Sequence, residues 1–600
     1  MTERITKYAF ALAGLLVAGH INAETTPQLS SKDVADVVIN GQQDISDWFR
    51  AESRHFIVYS DTNHKNVSQL LNKLERFDYL LRLYSNLDIK VDNRPKLTFY
   101  YQARVKDLDQ IDKTPPPFAI GLYNSCELGV QGFGAHMFYG VNPDIPLEKQ
   151  PENESLSYIF EAYARHFLYR YTDVRGPNWY IDGFAQYFAN TRFSDTETVV
   201  GKPPQSVRDY LLYVVGHTTY SLDYKDILLG NNTKGYNVAG VEGVKLEFQA
   251  KAWALTHYIL SSKENLQHFR VYNHLVDQGI EHTQAFEQAF GYKVTKLSTH
   301  LWNYKRKSAE ALKLNLTAGG NQDIHFSNLP ISANKLILAD AALKACPTPE
   351  AGVSLLQKIV SEAKKFPQSD YAQLVLSRAQ IHWGNAQDAL PYLTTKAKTD
   401  NFETFYLLGL ANLRLAEQSQ GDAQKTYLVQ AQEHLLKALT LNPLSAETAY
   451  AGFKAGLAAQ DIPSEKVLNL AIQARQLAPE VNSYIRSAAL AHAFLKQIPE
   501  TEHDLALLAQ NTRDTQMADW AKNWGSKLNS GVTRVNILAE MRRNIAPNPS
   551  FKEWTIASDE VMKAVIKAQE NVRLKLYLEL LQAMKQQGAT DINDIKTRDH

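Results

Sequence analysis

Internal repetition in the second half of the chain limits the possible folds more than any other feature. A small residue recurs at intervals of 34, 41 and 36 residues, near the end of an amphipathic segment and just before a turn. The four positions are Ala363, Ala397, Ala438 and Ala474. A repeat of this length is a supersecondary unit that buries its apolar face only by stacking against its neighbours. From about Ser332 onward, the pattern therefore predicts an array of helical hairpins.

Two phrases within these repeats are closely alike. Ala-Leu-Thr-Leu-Asn-Pro at 438–443 and Ala-Arg-Gln-Leu-Ala-Pro at 474–479 place a small residue and a proline at the same spacing. The pattern resembles the tetratricopeptide repeat, whose hairpins of about 34 residues need a small residue at the helix crossing and a proline after the second helix. An insertion at 417–425 accounts for the longest interval. Another α-solenoid satisfies the same stacking requirement.

The first 23 residues have the form of a secretory signal peptide. Arg4 and Lys7 precede a 12-residue apolar run, and Ala23 supplies the small residue at the expected cleavage point. No later apolar run approaches the roughly 18 residues that a membrane-spanning helix needs. We therefore expect an exported protein of the periplasm with no membrane span.

The charge balance argues against nucleic acid as the main partner. Lys and Arg total 64 residues, and Asp and Glu also total 64. Domains that bind polyanions usually carry a basic excess or a basic stripe. Nucleic acid is therefore disfavoured as the main partner. The helical repeats instead suggest a protein or peptide partner, whose identity the sequence does not reveal.

The chain has two cysteines, Cys126 and Cys346. Cysteines of exported proteins usually oxidise in pairs. These two, however, fall in segments that we assign to different domains. Two buried, unlinked thiols are therefore favoured over a bridge.

Strand and helix patterns alternate between residues 24 and 320. Residues 55–59 and 97–101 are rich in β-branched and aromatic residues, and apolar residues at helical spacing lie between them. This order predicts a mixed sheet. The prolines and glycines of 115–140 indicate an irregular, loop-rich region, and a Gly-Gly-Asn break marks the end of this domain.

The remaining chain divides into two parts. Residues 332–530 contain the predicted repeats, and residues 531–600 are predicted to form a C-terminal helical cap. An amphipathic helix is expected at 555–585. Basic and acidic residues mix on its polar side, which indicates a capping helix rather than a membrane binder.

Two neighbouring phrases contain the candidate site. In residues 159–167, apolar side chains repeat at helical spacing and place Glu161 and Arg165 together on the opposite helix face. Glu161 precedes Arg165 by four residues, the favourable order for a helix ion pair. The second phrase, at 176–188, contains Asp182.

Four segments, at 52–61, 179–188, 252–258 and 285–291, have the order and spacing of a known family. The layout is similar to the peptidase-MA-like bacterial proteins of the gluzincin class, exported zinc-metallopeptidase-type domains that tetratricopeptide repeats often follow. The resemblance implies an α+β gluzincin-like N-terminal domain followed by an all-α tetratricopeptide-like solenoid.

The resemblance also indicates which residues stand at the zinc site of active members. Those members carry H-E-x-x-H, with two zinc-binding histidines and a glutamate that activates water, and a downstream acidic ligand. Here the four positions hold Glu161, Ala162, Arg165 and Asp182. Arg165 has no lone pair to offer a metal, and Ala162 cannot accept a proton. A degenerate site with no metal, no cofactor and no catalytic residue is therefore expected.

The replacement residues have charges that suit one another. A guanidinium between two carboxylates, Arg165 between Glu161 and Asp182, would substitute charge for charge at the former zinc position. The alternative is a plain ion pair facing solvent, worth about 0.3–0.5 kcal/mol.

Three further residues are candidates for lining the former cleft: His166, Tyr187 and His257. His166 lies about 100° around the helix from the second ligand position, so packing or hydrogen bonding is expected for it rather than metal binding. A packed aromatic helix would explain His257 equally well.

These patterns together predict an exported, non-catalytic metallopeptidase-like protein whose helical repeats provide a scaffold for protein or peptide binding in the cell envelope. The alternative is an atypical zinc metallopeptidase with a rearranged site, using Glu161, His166 and Asp182. In a third interpretation the first domain only caps the repeats, and all binding lies in the second half.

Overall fold

A computed structural model describes residues 45–87, 94–116, 119–136, 154–194, 196–208, 222–230, 236–308, 311–315, 323–396, 400–511, 513–543 and 551–557. The expected signal peptide lies outside these ranges, as do Ala397 and nearly all of the helix expected at 555–585. Within them, no helix is both long enough and apolar enough to cross a bilayer.

A mixed β-sheet forms the centre of the first half, as the sequence patterns predict. In chain order the strands are β1 (Ile45–Glu52), β2 (Phe56–Ser60), β3 (Leu97–Gln102), β4 (Ala119–Cys126), β5 (Gly129–Ala135), β6 (Arg192–Phe193), β7 (Thr198–Val200), β8 (Leu312–Leu314), β9 (His325–Pro330) and β10 (Phe551–Ile556). Seven of them form one sheet in the order β10-β4-β5-β3-β2-β1-β9, and β6, β7 and β8 form a second, smaller sheet. β2 pairs in parallel with β3, and β3 with β5, whereas the other pairings of the large sheet are antiparallel.

Helices of the first half follow the predicted apolar spacing. They are α1 (His64–Tyr84), α2 (Glu154–Tyr171), α3 (Asn178–Ala189), α4 (Tyr224–Leu228), α5 (Tyr236–Leu260), α6 (Lys263–Asp277), α7 (His282–Phe290) and α8 (Leu297–Ser308). α1 begins where the Asn63 side chain accepts the backbone N–H of Asn66. α7 ends at Gly291, whose φ of 75° is the left-handed conformation that commonly stops a helix.

The second half is a tetratricopeptide-like series of helices in which neighbours pack against each other. Ala363, Ala438 and Ala474 have no exposed surface, as expected where helices cross closely. The expected insertion lengthens a helix, because α14 has 21 residues and α16 has 13. The helices are α9 (Ala333–Lys344), α10 (Pro349–Ala363), α11 (Asp370–Trp383), α12 (Leu390–Lys396), α13 (Phe402–Glu417), α14 (Gly421–Leu441), α15 (Ala446–Ala459), α16 (Glu465–Leu477), α17 (Asn482–Phe494), α18 (Ile498–Ala509), α19 (Thr515–Asn529) and α20 (Arg534–Arg542), with 3₁₀ turns at Val105–Gln110, Val294–Lys296 and Ala386–Ala389.

The large sheet is buried on both faces. Successive side chains of a strand point to opposite faces, so Phe99 packs in the core with α1 and α2, whereas Tyr100 packs on the other side. There it meets Phe133 of β5 and the apolar residues of α9. The first helices of the array therefore complete the core of the sheet. The boundary that we predicted between residues 320 and 332 does not separate two independent cores.

The helical array has an inner and an outer layer. Helices α13, α15 and α17 are buried around most of their circumference, whereas α10, α14 and α16 bury a single stripe. Strand residues contact the inner layer directly: Gln131 Nε2 donates to Ala341 O (3.2 Å), and Tyr484 Oη donates to Glu127 O (2.9 Å). The turn between β4 and β5 thus occupies part of the inner surface of the helical array.

A disulfide joins the two halves, contrary to the unlinked thiols favoured by the sequence. Cys126 ends β4 and Cys346 follows α9, and their Cα atoms lie 6.3 Å apart. The prediction was wrong because it treated the two segments as parts of separate domains. The β4–β5 turn instead packs against the end of α9.

The glycine-rich stretch at 115–140, predicted as loops, contains β4 and β5. Its glycines permit close packing within a sheet. A Cβ atom at Gly132 would lie 2.2 Å from Cε1 of Phe99, and one at Gly134 would lie 2.9 Å from Cγ1 of Ile159. Glycine in a strand often marks such a close approach. The loop prediction was therefore wrong for residues 119–135.

The C-terminal part departs from the predicted helical cap at residues 551–556. These residues form β10, which pairs antiparallel with β4 at the edge of the N-terminal sheet. The register runs from Phe551 opposite Ser125 to Ile556 opposite Ala119. The register shifts between Thr555 and Ile556. Phe551, Trp554, Thr555 and Ile556 belong to the β-branched and aromatic residues that are enriched in strands.

Candidate functional site

The candidate site is buried between α2, α3 and β10. Glu161 and Arg165 lie on the α2 face opposite its main apolar stripe, as predicted, but each is only 3% exposed. The solvent-facing ion pair that we considered is therefore excluded. α3 and β10 both contact α2 and cover this face.

Arg165 lies among three carboxylates. Its Nη2 donates to Glu161 Oε1 at 2.7 Å, and its Nη1 donates to Asp182 Oδ1. The same Nη1 lies 2.9 Å from Glu553 Oε2. The structure thus brings Glu161, Arg165 and Asp182 together in the arrangement proposed from the sequence, and adds a third carboxylate from β10.

Three ionisable residues of this site were missed by the sequence analysis: Arg513, Glu553 and Lys245. Arg513, just before α19, donates through Nη1 to Glu553, and its Nη2 lies 2.9 Å from Asp182 Oδ1. Its Nε donates to Asn178 Oδ1 at 3.1 Å. Glu553 also accepts a hydrogen bond of 2.8 Å from Tyr169 Oη. The aromatic and β-branched residues of 551–556 were the available signal for a strand, but nothing in the local sequence indicates that this strand reaches α2.

Lys245 of α5 approaches the same site. Its Nζ donates to the backbone oxygen of Trp554 at 2.6 Å, and its charge acts on Asp182 and Glu161. We call the six ionisable groups the charge cluster. Its members are Glu161, Arg165, Asp182, Lys245, Arg513 and Glu553. Three cations face three carboxylates, so the formal charges cancel.

Burial and ion pairing shift the pKa values within the charge cluster in opposing directions. Burial alone would raise the pKa of Asp182, but Arg513 and Arg165 outweigh it and hold this pKa at about 2. Burial raises the pKa of Glu161 although Arg165 opposes the change. For Lys245, burial and the nearby Arg165 lower the pKa to about 8. Arg513 and Arg165 therefore hold Asp182 in its charged form.

The donor set does not fit the zinc ion of the peptidases that the sequence resembles. Zinc needs several lone-pair donors directed at one point, whereas Asp182 and Glu161 direct theirs at the guanidinium of Arg165. Ala162 is buried in the apolar core. Across the described ranges, no group of three His, Cys, Asp or Glu side chains is arranged to hold a metal ion.

His166 of α2 packs against Tyr123 of β4. Its Nδ1 lies 3.1 Å from Tyr123 Oη, and the residue is 1% exposed. Burial and the neighbouring Arg170 hold its pKa well below the ordinary value, so the ring is neutral. The structure places His166 in a packed, hydrogen-bonded role, the one expected from its position on the helix.

Tyr187 and His257 lie against each other in an aromatic group between α3, α5 and α8. Their ring centroids are 5.4 Å apart, and His257 Nδ1 lies 2.6 Å from Tyr304 Oη. Burial lowers the pKa of His257 to about 4 and raises that of Tyr187 to about 12. Both rings are therefore neutral packing elements, and the contacts described here do not join them to the charge cluster.

A separate cavity of about 370 Å³ lies between the sheet and the inner helices. Arg170 and Arg378 are among its lining residues. Both are already paired, because Arg170 Nε donates to Glu480 at 3.1 Å and Arg378 Nε donates to Asp340 at 3.0 Å. Of these two ion pairs, Arg170–Glu480 joins the two halves of the chain, whereas Arg378–Asp340 lies within the second half.

Comparison with known proteins gives a partial similarity. The similar structure is the crystal structure of a thermophilic TPR protein of Thermus thermophilus, which is 22% identical to this chain. The match covers 32% of this chain and 97% of the Thermus protein, with a TM-score of 0.27. No protein-family model and no curated protein matches the chain. At this TM-score the similarity adds nothing to what the helices of this chain show by themselves.

Proposed function

We propose that this chain is a non-catalytic, metallopeptidase-like protein of the cell envelope that binds a protein or peptide partner. One observation carries the non-catalytic part: a buried, ion-paired arginine, Arg165, stands where the resembling peptidases have a zinc-binding histidine. A guanidinium remains protonated at all accessible pH values and repels a metal cation.

The surroundings of Arg165 support this proposal. Removing it would leave the buried Glu161 without its ion-pair partner and would leave Asp182 and Glu553 to share Arg513, which is costly in a poorly solvated site. The arginine is therefore a structural component of the fold. Ala162, at the position of the water-activating glutamate, has no group that could act as a general base.

Binding is the function that remains for a chain of this architecture. Arrays of helical hairpins commonly bind segments of other proteins, and extended peptides bind to sheet edges. Export to the periplasm, proposed from residues 1–23, would place this binding in the cell envelope.

Elemental analysis for zinc, combined with a peptide-hydrolysis assay on the same sample, tests the proposal. The mature chain is purified without chelator or histidine tag. We expect less than about 0.1 zinc per chain and no hydrolysis, because a functional site holds close to one equivalent. About one zinc per chain, lost in Asp182→Ala, would instead support the atypical metallopeptidase.

A variant with the restored motif is the matched control for gluzincin-like geometry. It carries Glu161→His, Ala162→Glu, Arg165→His and Asp182→Glu. If the backbone has that geometry, the folded variant should bind about one zinc per chain. A folded variant without zinc would contradict the gluzincin-like part of the proposal.

A further inference from the structure

The chain adds one of its own late segments to the edge of its N-terminal sheet. Without β10, β4 would be the edge strand, with a row of unpaired backbone groups. β10 pairs with β4 from Phe551 opposite Ser125 to Ile556 opposite Ala119. Adding a strand to an exposed edge is a general way to bind an extended peptide, since backbone hydrogen bonds give affinity and alternate side chains give specificity.

On one face of β10, the carboxylate of Glu553 is bound by charged side chains of the charge cluster. Glu553 is 7% exposed and contacts Arg165, Arg513 and Tyr169. Without Glu553, the charge cluster would hold three cations and two carboxylates. The position therefore requires an anionic side chain, a requirement that a strand serving only to cover the edge would not impose.

The other face of β10 is recognised by different contacts. Trp554 packs beside the apolar core between the sheet and α9, and its backbone oxygen accepts the bond from Lys245. Lys552 Nζ lies 2.7 Å from Asp112 Oδ2. The side chains of Glu553 and Trp554 thus meet separate sets of contacts, as they would in a site selective for a particular extended sequence.

We propose that the edge of β4 and the charge cluster form a binding site for an extended segment of a partner protein. This segment carries a glutamate next to an aromatic residue, and β10 is the occupant that the chain itself supplies. The proposal rests on the proposed binding function and names the class of its ligand. A partner segment binds by displacing β10 and restoring the neutral charge balance with its own glutamate.

A variant with a weakened internal strand tests the proposal in the full mature chain. Glu553→Pro combined with Trp554→Pro removes two backbone donors and the buried carboxylate from β10, but leaves β4, Arg165 and Arg513 unchanged. The probe is a fluorescent peptide with the sequence of residues 551–557, Phe-Lys-Glu-Trp-Thr-Ile-Ala. We expect it to bind the variant at least about tenfold more tightly than the wild type, in which β10 competes at high effective concentration.

Two controls distinguish specific binding of the peptide from nonspecific binding. The peptide with Gln in place of Glu should bind the variant at least about tenfold more weakly, because two arginines then lose their buried partner. The original peptide should be weakened similarly when Arg513→Gln is added to the variant. Equal binding of the Glu and Gln peptides would overturn the charge-based recognition.

A milder variant covers the case in which the double-proline chain does not fold. Glu553→Gln keeps the strand and weakens its competition, so the Glu peptide should bind it more tightly than it binds the wild type. No binding to any folded variant at about 1 mM peptide would overturn the proposal. A dimer that exchanges β10 between two copies would also overturn it. The zinc content of the wild type tests the proposed non-catalytic function independently of peptide binding. A failure of that function can therefore be distinguished from a failure of the β4-edge binding site.

Discussion

At the scale of single residues, Arg165 shows what a local pattern can and cannot predict. Its spacing from Glu161 predicts the helix ion pair, and the resemblance places Asp182 nearby. Its burial depends on β10, about 390 residues further along the chain, which no local pattern reveals. For the same reason Arg513 and Glu553 could not be assigned to the site from the sequence.

Replacing Arg165 should destabilise the protein strongly. Arg165→Met leaves Glu161 without its ion-pair partner and leaves Asp182 and Glu553 with Arg513, and the expected loss is about 3–5 kcal/mol of the free energy of unfolding. Urea denaturation measures this loss. Arg414→Met is the matched control, since its ion pair with Glu417 is largely exposed and should be worth at most about 1 kcal/mol. A loss below about 1 kcal/mol for Arg165→Met would contradict the buried cluster.

Asp182 should make the free energy of unfolding depend on pH in the acid range. Its pKa is lowered from 3.8 to about 2 in the folded chain. A lowered carboxyl pKa stabilises the fold above the unfolded value, and this contribution is lost as the pH falls from about 4 through about 2. We expect a loss of about 2 kcal/mol in wild type that Asp182→Asn lacks. Urea denaturation at pH 5, 4, 3 and 2 measures it, and parallel curves for the two proteins would refute this assignment.

At the scale of elements, hydrophobic patterns predicted β2, α1, β3 and the helical repeats, because each has a clear period of its own. The same reasoning failed for β5, where glycine signals close packing instead of a turn. It failed for β10 because a short strand and the start of an amphipathic helix have similar compositions. Pairing between distant strands is determined by the folded packing, and a one-dimensional pattern does not contain it.

Gly132 should tolerate no side chain. A Cβ there would overlap the ring of Phe99, so Gly132→Ala should cost about 1–3 kcal/mol of unfolding free energy. Gly525→Ala is the control, because no neighbouring atom lies within 4 Å of the new Cβ and the position is helical. It should stabilise by about 0.5–1 kcal/mol. Thermal and urea unfolding measure both, and a neutral Gly132→Ala would show that the ring of Phe99 can move away.

At the scale of the whole molecule, the two halves share one structure. β9 and β10 bring later parts of the chain into the N-terminal sheet, and the disulfide joins Cys126 to Cys346. Ser125 Oγ donates to Glu480 O at 2.9 Å, and Arg175 Nη2 donates to Pro479 O at 2.9 Å. The sequence correctly divided the chain into an α+β part and a helical part, but it could not show that they share a core.

The segment 24–310 should therefore not fold independently. It lacks β9 and β10, and it leaves the apolar face around Tyr100 and Phe133 without the helices that cover it. We expect no cooperative urea transition and a weak near-ultraviolet circular dichroism signal, in contrast to the mature full chain. A cooperative transition in this segment would support an independent first domain, as in the interpretation that treats it as a separate cap.

The position of β10 in the chain also affects the order of assembly. The first strands leave the ribosome early, but their sheet keeps an open edge along β4 until residues 551–557 have been made. A polypeptide that ends prematurely cannot close this edge, and an exposed edge is prone to pair with other chains. The pairing of β10 with β4 thus links completion of the N-terminal sheet to synthesis of the chain as far as residue 556, so products truncated before β10 keep an exposed sheet edge.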